Sequence, residues 1–297
     1  MGTEGLRTAL RTDGRLMNSW QLLNHYLHTW GRAISAMFRA LTWTPFLVIL
    51  CVQLALVALL YFGVRPPLAG VLRVLPDWLV PEAFFGYPTH LLLLPSVLYN
   101  RLMPIPGLFL ESLLQASATW IFVRHARSQS LPRLGSATSE VNWGYVQFVL
   151  FWLLNYLLLR GFGELFGWAT DNLWLGYSRR RAGLEFAEMV FGAAVNSILA
   201  YSTVVIVLER TSPLATLRLA LRTAVRSGLA TWTTVVAGTL LTWPFSLLLA
   251  RSPEWVGRFN PEVVVLITVL SLVASMVASY LVISVLTFWY LLHRRPG

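Results

Sequence analysis

Runs of apolar residues too long for an ordinary soluble core set the first limit on this chain. "WTPFLVILCVQLALVALLYFGV", "VQFVLFWLLNYLLL", "AAVNSILAYSTVVIVL", "WTTVVAGTLLTWPFSLLLA" and "PEVVVLITVLSLVASMVASYLVISVLTFWYLL" each approach or exceed the roughly 20 residues that cross about 30 Å of hydrocarbon. In lipid such segments fold as helices, because every backbone N–H and C=O must find a partner within the segment. With 56% hydrophobic and 12% charged residues over 297 positions, the composition agrees. The chain therefore reads as all-α, a polytopic membrane helix bundle with interfacial amphipathic helices. The expected spans are 41–62, 105–124, 142–160, 186–208, 229–250 and 263–291, about six in all, with 105–124 the least apolar.

Residues 1–40 form a polar cytoplasmic tail and then an amphipathic interfacial helix, and 41–293 form a single transmembrane domain. Two segments, 63–104 and 161–185, are expected on the outer side. Within them, 84–99 and 161–178 are candidates to dip into the bilayer. The stretch 213–226, "PLATLRLALRTAVR", places Arg218, Arg222 and Arg226 at four-residue steps on one side of a helix. Opposite them, Leu217, Leu219, Leu221 and Val225 are expected to hold a cationic amphipathic helix on the cytoplasmic surface.

The formal charge of +10 does not describe a nucleic-acid-binding face. All 23 basic residues are arginines, in short runs beside apolar segments, which is the pattern of topology signals and anionic-lipid contacts. Their distribution puts both termini in the cytoplasm. Arg179, Arg180 and Arg181 then fall outside, against the positive-inside bias, and are candidates for lipid or partner contact.

Carboxylates recur near the starts of the spans expected to run inward: Glu111, Glu188 and Glu262. Asn260, Pro261 and Glu262 form a complete helix-start signal. Compensation of the helix dipole, or pairing with Arg101 or the 179–181 triplet, is the structural reading of Glu111 and Glu188. The functional reading makes them an outward-facing ion, proton or headgroup site, since intramembrane acids often mark one. Asn155 and Asn196 are the other notable polar residues within spans, read first as interhelical hydrogen-bond partners and second as ligand contacts. His90 is a candidate ligand for a haem or chlorophyll-type pigment. Cys51 is the lone cysteine, and no metal-binding cluster, phosphate-binding glycine loop or nucleophile elbow is present, so neither a metal site nor catalytic residues are expected.

Small residues recur at helix-packing spacing in three spans, as with Ser271, Ser275 and Ser279, and Gly228, Thr231, Thr234 and Gly238. The arginine helix feeding directly into the fifth span, "SPLATLRLALRTAVRSG", resembles a class of bacterial six-helix inner-membrane proteins. That class includes the membrane domains attached to some glycerophosphodiester phosphodiesterases. The resemblance covers mainly 16–62 and 184–250, and the chain departs from it in 63–104. It implies a bacterial inner-membrane location but supplies no catalytic residues, and the phosphodiesterase domain itself is not in this sequence.

Two functional expectations follow. One is a non-enzymatic accessory subunit that packs within a larger membrane assembly. The other is a transporter or lipid-handling permease with a polar site near Glu111 and Glu188. The orientation has its own test, in a chain with Cys51 replaced. A single cysteine placed in 66–80 should react with an impermeant thiol reagent from the outer side, and one in 128–136 should not. The opposite labelling pattern contradicts the orientation.

Overall fold

The apolar blocks fold as helices close to where length and patterning place them. The computed structural model describes residues 19–63, 101–173, 178–250 and 262–293. His90, the candidate re-entrant segment 84–99 and almost all of the outer segment 63–104 lie outside the described residues. Helix α1 (Ser19–Met37) leads into α2 (Ala40–Gly63). A short turn at Pro104–Pro106 and a π-helical turn at Gly107–Glu111 open α3 (Ser112–Ala126). Then follow α4 (Leu134–Val141), α5 (Tyr145–Leu173), α6 (Ser178–Leu199) and α7 (Ser202–Glu209). The last three are α8 (Pro213–Arg226), α9 (Gly228–Ala250) and α10 (Glu262–His293); the helix-start residues Asn260 and Pro261 lie outside the described residues.

Five helices are long and apolar enough to cross a membrane: α2, the α4–α5 run, the α6–α7 run, α9 and α10. The protein is a multi-pass membrane helix bundle. The sixth expected span, 105–124, is helical but stands apart in composition, and its position explains why. Nine of the 15 residues of α3 are buried, whereas no more than 44% of the most apolar stretch is buried in any of the five others. Helix α3 packs against α2, α4, α5, α7 and α10. A helix enclosed by protein does not need the apolar surface that lipid demands. It needs small residues and satisfied polar groups. Ala116, Ser117 and Ala118 are fully buried, and Ser112, Ser117 and Thr119 donate to the carbonyls of Leu108, Leu113 and Gln115 on their own helix.

Aromatic packing joins α3 to its neighbours. Phe122 stands edge-on to Tyr280 and Phe288 of α10, with ring centroids 5.2 and 5.8 Å away. Phe46 of α2 lies 5.2 Å from Tyr280, whose hydroxyl pairs with Thr42 Oγ1 at 2.9 Å. Helix α1 lies across one end of this cluster. Thr29, Ala33 and Ala36 face inward, and Trp20, Leu27 and Phe38 face outward, exposed. Tyr26 reaches α9, accepting from Thr233 at 3.0 Å and sharing a bond with Thr234 at 3.0 Å. Arg32 donates to the Ala126 carbonyl at 3.1 Å, satisfying an orphan acceptor at the end of α3.

Three features differ from the sequence reading. Segment 161–173 continues α5 as helix. The expected span 186–208 is broken at Ala200 and Tyr201, between α6 and α7, although neither residue is Gly or Pro. Buried Tyr201 holds that break, its hydroxyl accepting from Ser227 at 3.2 Å and Thr231 at 3.1 Å. On α8 the buried positions are Thr216 and Ala220, while Leu221 and Val225 face outward beside exposed Arg218, Arg222 and Arg226. The exposed side is thus half apolar and half cationic, a surface suited to the headgroup boundary.

Helices α9 and α10 form the most extensive pair in the bundle. Their approach depends on Gly238, where a β-carbon would lie 2.6 Å from Val282 Cγ2. Gly238→Ala should therefore lower the melting temperature in detergent, by an overpacking cost of about 1–3 kcal/mol. Val282→Ala in the same chain should recover part of that loss. Strictly additive effects would show that the two side chains do not meet.

Candidate functional site

A cavity with both apolar and polar side chains on its wall opens where α3, α5, the α6–α7 break, α9 and α10 converge. Its volume is about 390 Å³, within the usual range for ligand sites. Glu111, Asn155 and Asn196, singled out from the sequence on three separate segments, all line it. Glu188 lines a second cavity of about 570 Å³ between α5, α6 and α9. The two cavities adjoin: Leu159, Asn196, Thr239 and Thr242 belong to both walls.

Glu111 reaches the cavity through an unusual backbone. It closes the π-helical turn Gly107–Glu111, an irregularity that often accompanies functional sites. Gly107 allows this turn to press on α5, since a β-carbon there would clash with the Trp152 indole. Trp152 in turn stacks on Tyr156 at 5.5 Å with an interplanar angle of 8°, and both rings line the cavity. Helix begins at Pro104, so Glu111 lies beyond the first turn, and Glu188 likewise lies well inside α6, which starts at Ser178. Dipole compensation at a helix start therefore does not explain either residue. The partner of Glu111 is Gln115, whose Nε2 donates to Oε1 at 2.9 Å, rather than Arg101 or the arginine triplet.

The two asparagines meet across the α5–α6 boundary. Asn155 Nδ2 donates to Asn196 Oδ1 at 3.0 Å, and Asn155 Oδ1 is buried without a partner among the described residues. An interhelical bond of this kind contributes about 0.6 kcal/mol in a bilayer, too little to explain an adjacent unsatisfied acceptor. Asn155 itself belongs to the cavity wall. Glu188 extends toward α5, where a β-carbon on Gly163 would come within 3.9 Å of its Oε1.

Sequence reasoning missed much of the wall: Gln115, Trp152, Tyr156, Ser202, Thr239 and Thr242. It read Ser275 and Ser279 as helix-packing residues only, and both line the cavity. A hydroxyl that eases close helix approach and one that faces a cavity have the same spacing, so pattern alone does not separate them. The remaining candidates lie elsewhere. Arg218, Arg222 and Arg226 are on the exposed side of α8. Arg179, Arg180 and Arg181 stand at the start of α6, their side chains outside the described residues. His90, with the pigment it was a candidate to bind, is outside them as well. Among the described residues no group of three or more His, Cys, Asp or Glu side chains is placed to hold a metal ion. Compared with protein-family models, with curated proteins and with solved structures, the chain matches none.

Proposed function

We propose that this protein is a permease that carries a small polar solute through the two adjoining cavities, rather than an enzyme. The observation that carries this reading is a series of polar side chains along two adjoining cavities: Glu111, Gln115 and Asn155 on the first wall, Glu188 on the second, and Asn196, Thr239 and Thr242 on both. Polar side chains at bilayer depth are costly, and they are retained where a solute or water meets them. The broken α6–α7 helix adds support. Ser202 and Thr203, directly after the break, line the first cavity, and interrupted helices recur at the binding sites of secondary carriers. Asn196 belongs to both walls and bonds to Asn155, which makes the pair a natural constriction between the chambers.

The accessory-subunit reading drew on the absence of catalytic motifs, on the small-residue faces and on the outer segment 63–104 as a docking surface, almost all of which lies outside the described residues. Several of the small residues are used within the bundle instead: Gly238 packs on α10, Thr231 and Thr234 hold Tyr201 and Tyr26, and Ser275 and Ser279 face the cavity. We place the protein in a bacterial inner membrane with both termini cytoplasmic. The outward side of α8, with its arginines beside Leu221 and Val225, would then rest on anionic lipid.

Cysteine accessibility in oriented vesicles tests the proposal, with Cys51, which is exposed on α2, first replaced by serine. Thr239→Cys and Ser279→Cys, both on the cavity wall, should react with a small water-soluble thiosulfonate applied from either face of the membrane. Leu240→Cys, exposed on the outside of α9, should stay inert. Reaction from one face only would make the cavity a closed vestibule and end the permease reading.

A further inference from the structure

The chemistry of the first cavity's wall selects among solutes. Glu111 is the one carboxylate among its described lining residues, and none of them is Arg, Lys or His. The hydroxyls add acceptors. Ser112, Thr119, Thr239 and Thr242 spend their protons on carbonyls of their own helices, at 2.7, 3.0, 2.9 and 3.0 Å. Their oxygen lone pairs remain for an occupant. Among the amides, Gln115 Nε2 donates one proton to Glu111 and Asn155 Nδ2 one to Asn196 Oδ1, and Asn155 Oδ1 is unpartnered among the described residues. The wall carries donors as well, on the Trp152 indole, the Asn196 amide and the Ser275 and Ser279 hydroxyls, but none of these is charged, so Glu111 is the one formal charge among its described lining residues.

We infer that this cavity binds a small protonated amine, held by the Glu111 carboxylate and the hydroxyl and amide oxygens, with Trp152 and Tyr156 beside it. The inference rests on the permease reading and names its class of solute. A bound ammonium neutralises Glu111 inside an apolar bundle, where an unpaired charge is expensive. Its N–H groups meet hydroxyl and amide oxygens of the wall, and the aromatic faces favour a cation over a neutral molecule. An anion would face the Glu111 carboxylate with no cationic side chain among the described lining residues to offset it. A quaternary ammonium supplies charge without N–H groups. A bare alkali cation would leave the aromatic wall and most of the volume of about 390 Å³ unused.

Calorimetric titration of the full chain in nanodiscs, with four probes of similar size, tests the inference: n-butylammonium, tetramethylammonium, n-butanol and butyrate. Butylammonium should bind at least about tenfold more tightly than the other three. Glu111→Gln should weaken that binding by about tenfold or more, and Thr239→Val by a smaller factor. Glu164→Gln, on the outside of α5 and bonded to Arg160, should leave it unchanged. If Glu111→Gln does not fold, Thr239→Val and Glu111→Asp carry the comparison. Equal binding of butanol, tetramethylammonium or butyrate overturns the inference, as does butylammonium binding that ignores both wall substitutions. Absence of butylammonium binding overturns it too. In each of these cases two-sided cysteine access would leave the permease reading standing, and one-sided access would remove it independently.

Discussion

Inside a bilayer no water competes for hydrogen bonds, so each polar group must be satisfied by the protein or by something the protein encloses. The rest of this structure depends on that constraint. It explains the serines and threonines of α3, α9 and α10, most of which return their proton to a carbonyl one turn back on their own helix. It also explains how α3, the least apolar of the expected spans, becomes the most enclosed. Its neighbours shield it from lipid, and its small side chains let them approach. The aromatic cluster of Phe46, Phe122, Tyr280 and Phe288 then fixes α2, α3 and α10 together.

The same constraint turns a gap between helices into a site. Where Gly238 lets α9 close on α10, the bundle is tight. Beside that contact a cavity remains between α3, α5, the α6–α7 break, α9 and α10, and polar side chains line it. Glu111 receives one hydrogen bond from Gln115. Asn155 gives one to Asn196 and leaves an oxygen unanswered. A bundle that buried such groups for stability alone would gain by replacing them with leucine. Glu111, Asn155 and Asn196 instead share one cavity wall.

The helices were legible because lipid imposes a simple rule, and α2, α9 and α10 fall within a few residues of the expected bounds. The break at Ala200 and Tyr201 was not legible, since its cause is the bonding of Tyr201 to Ser227 and Thr231 on a later segment. Nor was the setting of Glu111. It was noticed as a charge near a helix start, but its place on a π-helical turn depends on Gly107 fitting against Trp152. Glu111, Asn155 and Asn196 stood out as polar residues in apolar company. Their convergence, and the hydroxyl wall around them, required the fold.

The central claim is that a water-accessible polar cavity lies within the membrane-embedded bundle. Electron paramagnetic resonance with a nitroxide at Ser275, which lines the cavity, measures this directly. Val273, exposed on the outside of the same helix, is the reference position at nearly the same depth. In bilayers the label at 275 should collide more with a water-soluble nickel chelate than with oxygen, and the label at 273 should show the reverse. Oxygen-dominated relaxation at both positions would mean that the cavity is dry or filled by lipid, and would contradict the account.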